Sequence, residues 1–489
     1  MPDSPSSAAK TGRNVLLGLL LAGLVVSELL ALFVGHPALR DGSQWFAIVC
    51  VLAMPLTCLS SLHGRELYLA SACGLLIAIA WWLQVPLAAL ITDGLARSAF
   101  LAAFIVLMAL LREGANSSAS ILEVGRYLTH QPPGRRFFTI FGGSHFFSLL
   151  INLGSLSLLA PIIQRGVRAS YGDGQPIDEI GQVREQRQLS AALRGFSWFL
   201  VWGPTAVTQA VMPTLMTGIN PYKLIGLGLC IALLMMFVAR FEDWLRWRKF
   251  SARLGRSEVR PTNAMTPLPR HSFRNVALVA VTLFGLSIAF STLGQVTLIA
   301  GVMLASPFVT IWWLAVQYGR SGKAVGHRMT TRLDTITFVN MPAYSREVIF
   351  VACAGFIGTS AAKLIPVPEL AETLQLDTLP SWLILWSLSL FVLLLGQVGF
   401  SPITSAVFLG SVVAEVPVLP LDTTLIAIAI AAGTAICSTG APFSAGILML
   451  SRATEISPYT LSWRWNGRYT LFASVILLPV YGSMASLFG

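Results

Sequence analysis

Cys437-Ser438-Thr439-Gly440-Ala441-Pro442-Phe443-Ser444-Ala445-Gly446 interrupts an apolar segment, residues 424–451, that would otherwise read as one membrane-spanning helix. Gly and Pro inside such a run end or break a helix. An earlier stretch, Gly203-Pro204-Thr205-Ala206-Val207-Thr208-Gln209, breaks the segment 190–216 in the same way. Each break is followed by a similar ending. The first copy reads Thr217-Gly218-Ile219-Asn220-Pro221-Tyr222-Lys223-Leu224 and the second Thr454-Glu455-Ile456-Ser457-Pro458-Tyr459-Thr460-Leu461, with Pro221 and Pro458 standing 237 residues apart. Paired breaks in two halves of an apolar chain are the best sequence pointer to a transporter's binding site.

The composition agrees with a chain that lives in lipid. Of 489 residues, 55% are hydrophobic and 11% charged, and the mean hydropathy of +0.72 is too high for a water-soluble globule of this length. A span needs about 20 apolar residues, and such runs recur from residue 14 to residue 487. The first, Val15 to Val34, has no small-residue cleavage site and reads as a span, not a signal peptide. The net charge of +11 sits in loops, where membrane topology explains it, so nucleic acid is not an expected partner. Six cysteines, Cys50, Cys58, Cys73, Cys230, Cys353 and Cys437, stand singly, and the six histidines lack ligand spacing; no metal site is expected.

Basic flanks belong on the cytoplasmic side. The tail 1–13, with Lys10 and Arg13, therefore starts in the cytoplasm, and spans 14–34, 43–61, 66–84 and 96–112 alternate. Glu113 to His130 spaces Ile121, Leu122, Val124 and Leu128 among polar residues, which suits a helix lying at the interface. The run 137–163 has basic residues at both ends, Arg135 and Arg136 before it and Arg165 and Arg168 after it. A re-entrant hairpin opening inward keeps both flanks inside; a single span does not. Segment 190–216 then goes out, 221–238 returns, and Arg240 to Arg270 forms the most basic loop. Spans 275–291 and 294–317, a loop with Arg320, Lys323, Arg328, Arg332 and Arg346, and span 348–362 lead to an acidic connector with Glu369, Glu372 and Asp377. Trp382 to Ala414, broken at Gly396 to Pro402 and flanked by acids, reads as a second hairpin, opening outward. Segment 424–451 and a last span, 469–487, leave the C-terminus external. Only Arg40, Arg97, Lys223 and Lys363 of the 33 Lys and Arg then lie outside.

The expected fold is an all-α polytopic membrane protein made of two inverted-topology repeats, 14–240 and 274–489, joined by a basic cytoplasmic linker at 241–273. Each repeat holds a re-entrant hairpin (137–163 or 382–414) and a broken transmembrane helix (190–216 or 424–451).

In this order of elements the chain resembles the ion transporter superfamily, which includes divalent anion/sodium symporters, citrate carriers and arsenite pump subunits. The resemblance covers roughly residues 96–240 and 346–487. Glu113–His130 with Arg135-Arg136 is similar to the family's arm helix leading into its inward hairpin. Arg346 to Ile365, the acidic connector and Leu379-Pro380-Ser381-Trp382 are similar to the arm and hairpin of the other half. The family's hairpin tips often carry Ser-Asn-Thr; the matching places here read Ile151-Asn152-Leu153 and Ser401-Pro402-Ile403. Its Gly-Thr-Pro-like helix breaks match Gly203-Pro204-Thr205 and Thr439-Gly440-Ala441-Pro442. The resemblance implies an elevator-type movement and a homodimer.

A helix broken within the membrane leaves N–H groups at one half-helix start and C=O groups at the other half-helix end without partners. The first suit an anion and the second a cation. The candidate ligands are the hydroxyls of Thr205, Thr208, Ser438, Thr439 and Ser444, with Ser401 and Thr404 at the second hairpin and Asn152 at the first. Gln209 and the backbone at Gly203, Pro204, Gly440 and Pro442 complete the set. The structural alternative is that Ser and Thr bond their own helix backbone and that Gln209 and Gln397 pair between helices. His145, the only histidine deep in an apolar run, is a candidate proton carrier or a hydrogen-bonded structural imidazole.

These features point to a secondary active transporter, not an enzyme, moving a small anionic solute across the cytoplasmic membrane by alternating access. It would need no cofactor beyond a coupling Na+ or H+. No nucleotide-binding motif is present. The alternative is an integral membrane enzyme or translocator acting on a lipid-linked substrate; an enzyme would need a catalytic cluster at a membrane face, where the outer loops are short and poor in such residues.

Overall fold

The computed structural model describes residues 12–58, 64–169, 171, 175–254, 267–319, 325–373, 375–376, 378–416 and 421–488. Most of the N-terminal tail, Arg320 and Lys323 of the basic loop, Asp377 of the acidic connector and residues 255–266 of the basic linker lie outside the described residues.

The described chain is all helical. It begins with α1 (Gly12–Phe33), α2 (Pro37–Cys58), α3 (Gly64–Trp82), α4 (Leu87–Asn116) and α5 (Ala119–Thr129). Two short helices, α6 (Pro133–Ile151) and α7 (Gly154–Arg168), meet at a tight turn. A helix pair interrupted at residues 200–206 follows, α8 (Glu179–Phe199) and α9 (Val207–Leu215), then α10 (Pro221–Leu254), α11 (Arg270–Gly294) and α12 (Leu298–Gly319). The helices α13 (Val325–Thr335), α14 (Met341–Ala343), α15 (Ser345–Ala362) and α16 (Val367–Thr373) lead to a second close pair, α17 (Ser381–Gln397) and α18 (Pro402–Ala414). The last are the interrupted α19 (Thr423–Gly440) and α20 (Ala445–Thr454), and α21 (Gly467–Phe488). Short π-helical stretches, Ile336–Asn340 and Thr460–Asn466, precede α14 and α21. Among the described residues nine helical segments are long and apolar enough to cross a membrane, counting Thr423–Thr454 as one. The chain is a multi-pass membrane protein.

Four sequence expectations about where elements begin or end are corrected. The span 221–238 does not end before a basic loop: α10 continues to Leu254, 34 residues, or about 51 Å at 1.5 Å per residue, well beyond the roughly 30 Å hydrocarbon layer. Its polar end stays helical because two acids turn inward. Glu242 meets Arg194 at 2.9 Å and Asp243 meets Arg187 at 2.7 Å. Nor does the interfacial helix begin at Glu113. Residues 113–116 close α4, and the Glu113 carboxylate is buried, accepting from Arg332 Nη2 at 3.1 Å, the Tyr344 hydroxyl at 2.8 Å and the Asn340 amide. The surface helix proper is α5, with Ile121, Val124 and Leu128 buried. The first hairpin is also longer than 137–163, and the first broken helix starts at Glu179 because Asp178 caps it, accepting from Gly181 N at 2.8 Å.

The chain forms two compact units, residues 1–118 with 279–367 and residues 119–278 with 368–489. Each draws on both sequence halves, so neither unit coincides with 14–240 or 274–489. In the first unit α4 packs on α15, where a Cβ at Gly94 would come within 2.6 Å of the Phe356 ring. Arg112–Glu347 at 3.1 Å and Arg346–Glu66 at 3.0 Å brace it.

The second unit holds both hairpins and both broken helices, and one packing pattern occurs twice in it. The first helix of each hairpin lies along the first half of the broken helix that follows, α6 on α8 and α17 on α19. The second helix of each hairpin touches the far half of the other broken helix, α7 on α20 and α18 on α9. The close contacts need glycine. A Cβ at Gly195 would sit 2.2 Å from Phe141 O, and one at Gly433 would sit 2.9 Å from the backbone of Ser389. These glycines stand at matching places, nine residues before Pro204 and Pro442. A serine hydroxyl seals each contact: Ser144 donates to Ala192 O and Ser389 to Ala429 O, both at 2.7 Å.

Replacing Gly195 or Gly433 by Ala is expected to destabilise the purified protein by about 1–3 kcal/mol through overpacking. Gly142→Ala, where nothing lies within 4 Å of the new Cβ, is the neutral control. Thermal unfolding in detergent, followed by circular dichroism, reads the difference.

Candidate functional site

The hairpin tips and helix breaks of the second unit meet through paired bonds. At the first tip, Asn152 ends α6 with φ of 47°, a left-handed conformation that Asn tolerates better than most residues. At the second tip Gly399 takes φ of 98°, which a residue with a Cβ rarely adopts. The Asn152 amide donates to Thr205 O in the first break at 3.1 Å. The Gln397 amide donates to Gly440 O at the second break at 3.2 Å. Each tip thus supplies an amide donor to a carbonyl freed by the interrupted helix beside it, as an apolar surrounding demands.

The other candidates fall into separate groups. Thr205 donates from its hydroxyl to Leu149 O at 2.9 Å, closing a reciprocal clasp with Asn152. Gln209 is buried and donates to Val201 O across the first break. Thr208, on α9, reaches Thr434 on α19 at 3.5 Å, a long contact that links the two broken helices. Ser401 caps α18, accepting from Ile403 N at 3.2 Å. Ser444 caps α20, accepting from Ile447 N and donating to Ser438 O at 3.1 Å. Thr439 bonds Ile436 O at 3.0 Å and the Thr470 hydroxyl at 3.1 Å. Thr404 differs: it is 4% exposed and its hydroxyl has no hydrogen-bond partner among the described residues.

Backbone geometry separates the breaks. Pro204 and Pro442 bring no N–H of their own. A Cβ at Gly440 would meet Thr470 Cγ2 at 2.5 Å, and one at Gly203 would run into the Phe199 ring. The near ends of α18 and α20 carry serine caps, whereas α7 and α9 begin without any side-chain cap. The starts of α7 and α9 therefore lack side-chain caps, although Ser155 N and Leu156 N of α7 donate to the carbonyls of Asn152 and Leu153; both are partial positive ends of helices.

His145 uses both ring nitrogens. Nδ1 lies 2.9 Å from Gly195 O, and Nε2 accepts from Trp202 Nε1 at 2.6 Å. With Nε2 an acceptor, Nδ1 is the donor, and the imidazole is the neutral Nδ1–H tautomer. Trp202 stacks on it, ring centroids 5.5 Å apart. The sequence reading missed Trp202, Thr434, Thr470, and the pairing of Gln397 with Gly440. Gly195 and Gly433 could have been found from the repeat that aligns the two prolines.

At the start of α19, Asp422 pairs with Lys223 of α10 and accepts from Thr424 N at 2.7 Å. Burial raises the Asp422 pKa, but the bonds from Lys223 and Thr424 and the lysine charge outweigh it and hold the carboxyl below its ordinary 3.8. The pair's contribution is therefore fully present above that ordinary value and is lost as the pH falls through the depressed one.

No family model matches the sequence, and no curated protein matches it. Among solved structures the chain is similar to the crystal structure of the Alcanivorax borkumensis YdaH transporter, described as having an unusual topology, with a TM-score of 0.56 over 87% of this chain and 98% of that one. The identity is 16%, so the likeness is one of fold. The fold and the bonded tips and breaks define a class, all-helical multi-pass membrane proteins with two interrupted helices and two hairpins.

Asn152→Leu and Gln397→Leu each strand a carbonyl, and each is expected to cost about 1–3 kcal/mol, measured as a lowered thermal midpoint in detergent. Asp422→Asn should remove the acid loss of stability below the ordinary carboxylate range, read by unfolding at a series of pH values.

Proposed function

We propose that this protein is a secondary active transporter that moves a small anionic solute across the cytoplasmic membrane, coupled to a proton or sodium gradient. The observation that carries the reading is the repeated clasp, Asn152 to Thr205 O and Gln397 to Gly440 O, which ties each hairpin tip to a helix break inside one compact unit. A membrane enzyme has no need of that duplication; alternating access does. The likeness in fold to a solved transporter supports the same reading.

The contacts of α6 with α8 and of α7 with α20 recur as those of α17 with α19 and of α18 with α9, which is what an inverted-topology repeat would produce. With the broken helices and α3 counted as crossings, the number is odd, so the termini would lie on opposite sides, the N-terminus in the cytoplasm by its basic flank and the C-terminus outside. The second unit would be the moving part of an elevator and the first its scaffold, working as a homodimer on the pattern of the ion transporter superfamily. An anionic solute fits the uncapped starts of α7 and α9, where helix N-termini favour negative charge. Asn152, Gly203, Pro204, Thr205, Thr208 and Gln209 would line that side, with Ser401, Thr404, Ser438, Thr439, Gly440, Pro442 and Ser444 opposite. Thr404 would be the ligand best prepared, since its hydroxyl has no bond to give up among the described residues. A proton carried by His145 would have to displace the Trp202 donor from Nε2, so any proton coupling there would move Trp202 as well.

In vesicles holding the purified protein under an imposed sodium or proton gradient, a panel of labelled anions should reveal one that is accumulated. Asn152→Ala and Thr439→Val are expected to abolish that uptake. Thr404→Val, which removes a hydroxyl that stabilises nothing, should lower uptake by about tenfold or more while leaving the melting temperature unchanged. Full uptake in all three variants would remove these residues from the site, and no accumulation of any anion under either gradient would remove the transport reading.

A further inference from the structure

We propose that the second unit carries an oxyanion site at the base of its first hairpin, where the Arg136 guanidinium and the Gln188 carboxamide, beside Arg184, bind a phosphate-type group. The site does not depend on the transport reading. The register of α6 on α8 brings these residues together. His145 bonds Gly195 O, and further along Leu149 and Asn152 bond Thr205, so the two helices advance in the same direction with an offset of a little over fifty residues. Counting back along both, Arg136 falls opposite Arg187 and Gln188. This level lies about 18 Å along α8 from the first break, at 1.5 Å per residue.

Two donors gathered there, Arg136 Nη2 and Gln188 Nε2, lack an acceptor among the described residues. Arg136 is 8% exposed and Gln188 is 5% exposed. Arg136 Nε donates to Gln131 O at 2.7 Å, but its Nη2 is buried with no hydrogen-bond partner among the described residues, and so is Gln188 Nε2. Neither nitrogen can accept, so they cannot satisfy each other. Leaving either one unpaired in an apolar interior is costly. The nearby carboxylates are engaged elsewhere. Asp243 holds Arg187 through two bonds, at 2.7 and 3.0 Å, with Arg240 at 3.7 Å, and Glu185 accepts from Gln164 at 2.7 Å. Among the described residues no carboxylate lies within ion-pair distance of Arg136. Burial, and then repulsion by Arg184 and Arg187, lower the Arg136 pKa from 12.5 to about 10, as befits a cation without a counter-charge.

A planar guanidinium beside a carboxamide offers several N–H donors to oxygens that carry negative charge, the geometry phosphate accepts best. The phosphate could be the free ion or a lipid headgroup, and the chemistry of recognition is shared. The test uses the full-length protein in a neutral detergent. Inorganic phosphate is titrated calorimetrically against chloride at matched ionic strength, and native mass spectrometry compares retention of phosphatidic acid with that of phosphatidylcholine. Saturable binding of inorganic phosphate assigns the free ion. Selective retention of phosphatidic acid alone assigns the headgroup. Either way, Arg136→Gln and Gln188→Leu should weaken binding by about tenfold, and Arg136→Lys should fall between them and wild type. If Arg136→Gln does not fold, the uncharged change Gln188→Leu decides. Binding of neither probe by the wild type, or undiminished affinity in the folded variants, overturns the proposal.

Discussion

A backbone carbonyl or N–H group set free inside an apolar layer must find a partner, and the second unit is built around that requirement. Two helices are interrupted where Thr205, Thr439 and Ala441 are buried away from solvent, and an unpaired backbone group there is costly. The freed carbonyls of Thr205 and Gly440 are met by amide side chains at hairpin tips. Without the hairpins these carbonyls would be orphaned, and without the breaks the N–H donors of Asn152 and Gln397 would lose the acceptors they now have. Each half of the arrangement explains the other.

Close approach makes these bonds possible. An amide side chain reaches only a few ångströms, so each hairpin must lie against its broken helix along its length. Gly195 and Gly433 permit that contact, and the serine bonds to Ala192 O and Ala429 O fix the register. Charge holds the outer parts of the same unit. Arg194 is buried against Glu242 and Asn466 and stacks 4.2 Å from the centre of the Tyr469 ring, so that α8, α10 and α21 are tied at one point. Breaking such a buried pair by removing one partner leaves an uncompensated charge, which costs about 3–5 kcal/mol.

Much of the architecture was legible in the sequence. The breaks show as Gly203-Pro204 and Gly440-Ala441-Pro442, because Pro and Gly interrupt helices wherever they fall in an apolar run. The hairpins show as apolar runs with like-charged flanks. The ends of elements were less legible. Glu113 reads as a surface acid until Arg332, Tyr344 and Asn340, more than two hundred residues away in the chain, fold around it. Glu242 and Asp243 read as part of a loop until Arg194 and Arg187 neutralise them and let α10 continue. The hydroxyls at the tips and breaks looked alike in the sequence, yet Ser401 and Ser444 are caps, Thr439 is paired with Thr470, and Thr404 is without a partner among the described residues.

The sequence by itself determined that the chain enters a bilayer, that two of its helices are broken, and that the breaks recur at a fixed spacing. Those are consequences of local hydrophobicity and of residues that cannot continue a helix, and both act wherever the residue stands. Only the tertiary structure decided which donor meets which carbonyl, which buried acid is neutralised, and that Arg136 Nη2 and Gln188 Nε2 are buried without a partner among the described residues. Hydrogen bonds and ion pairs depend on distance and angle between residues far apart in the chain, and no local pattern records them.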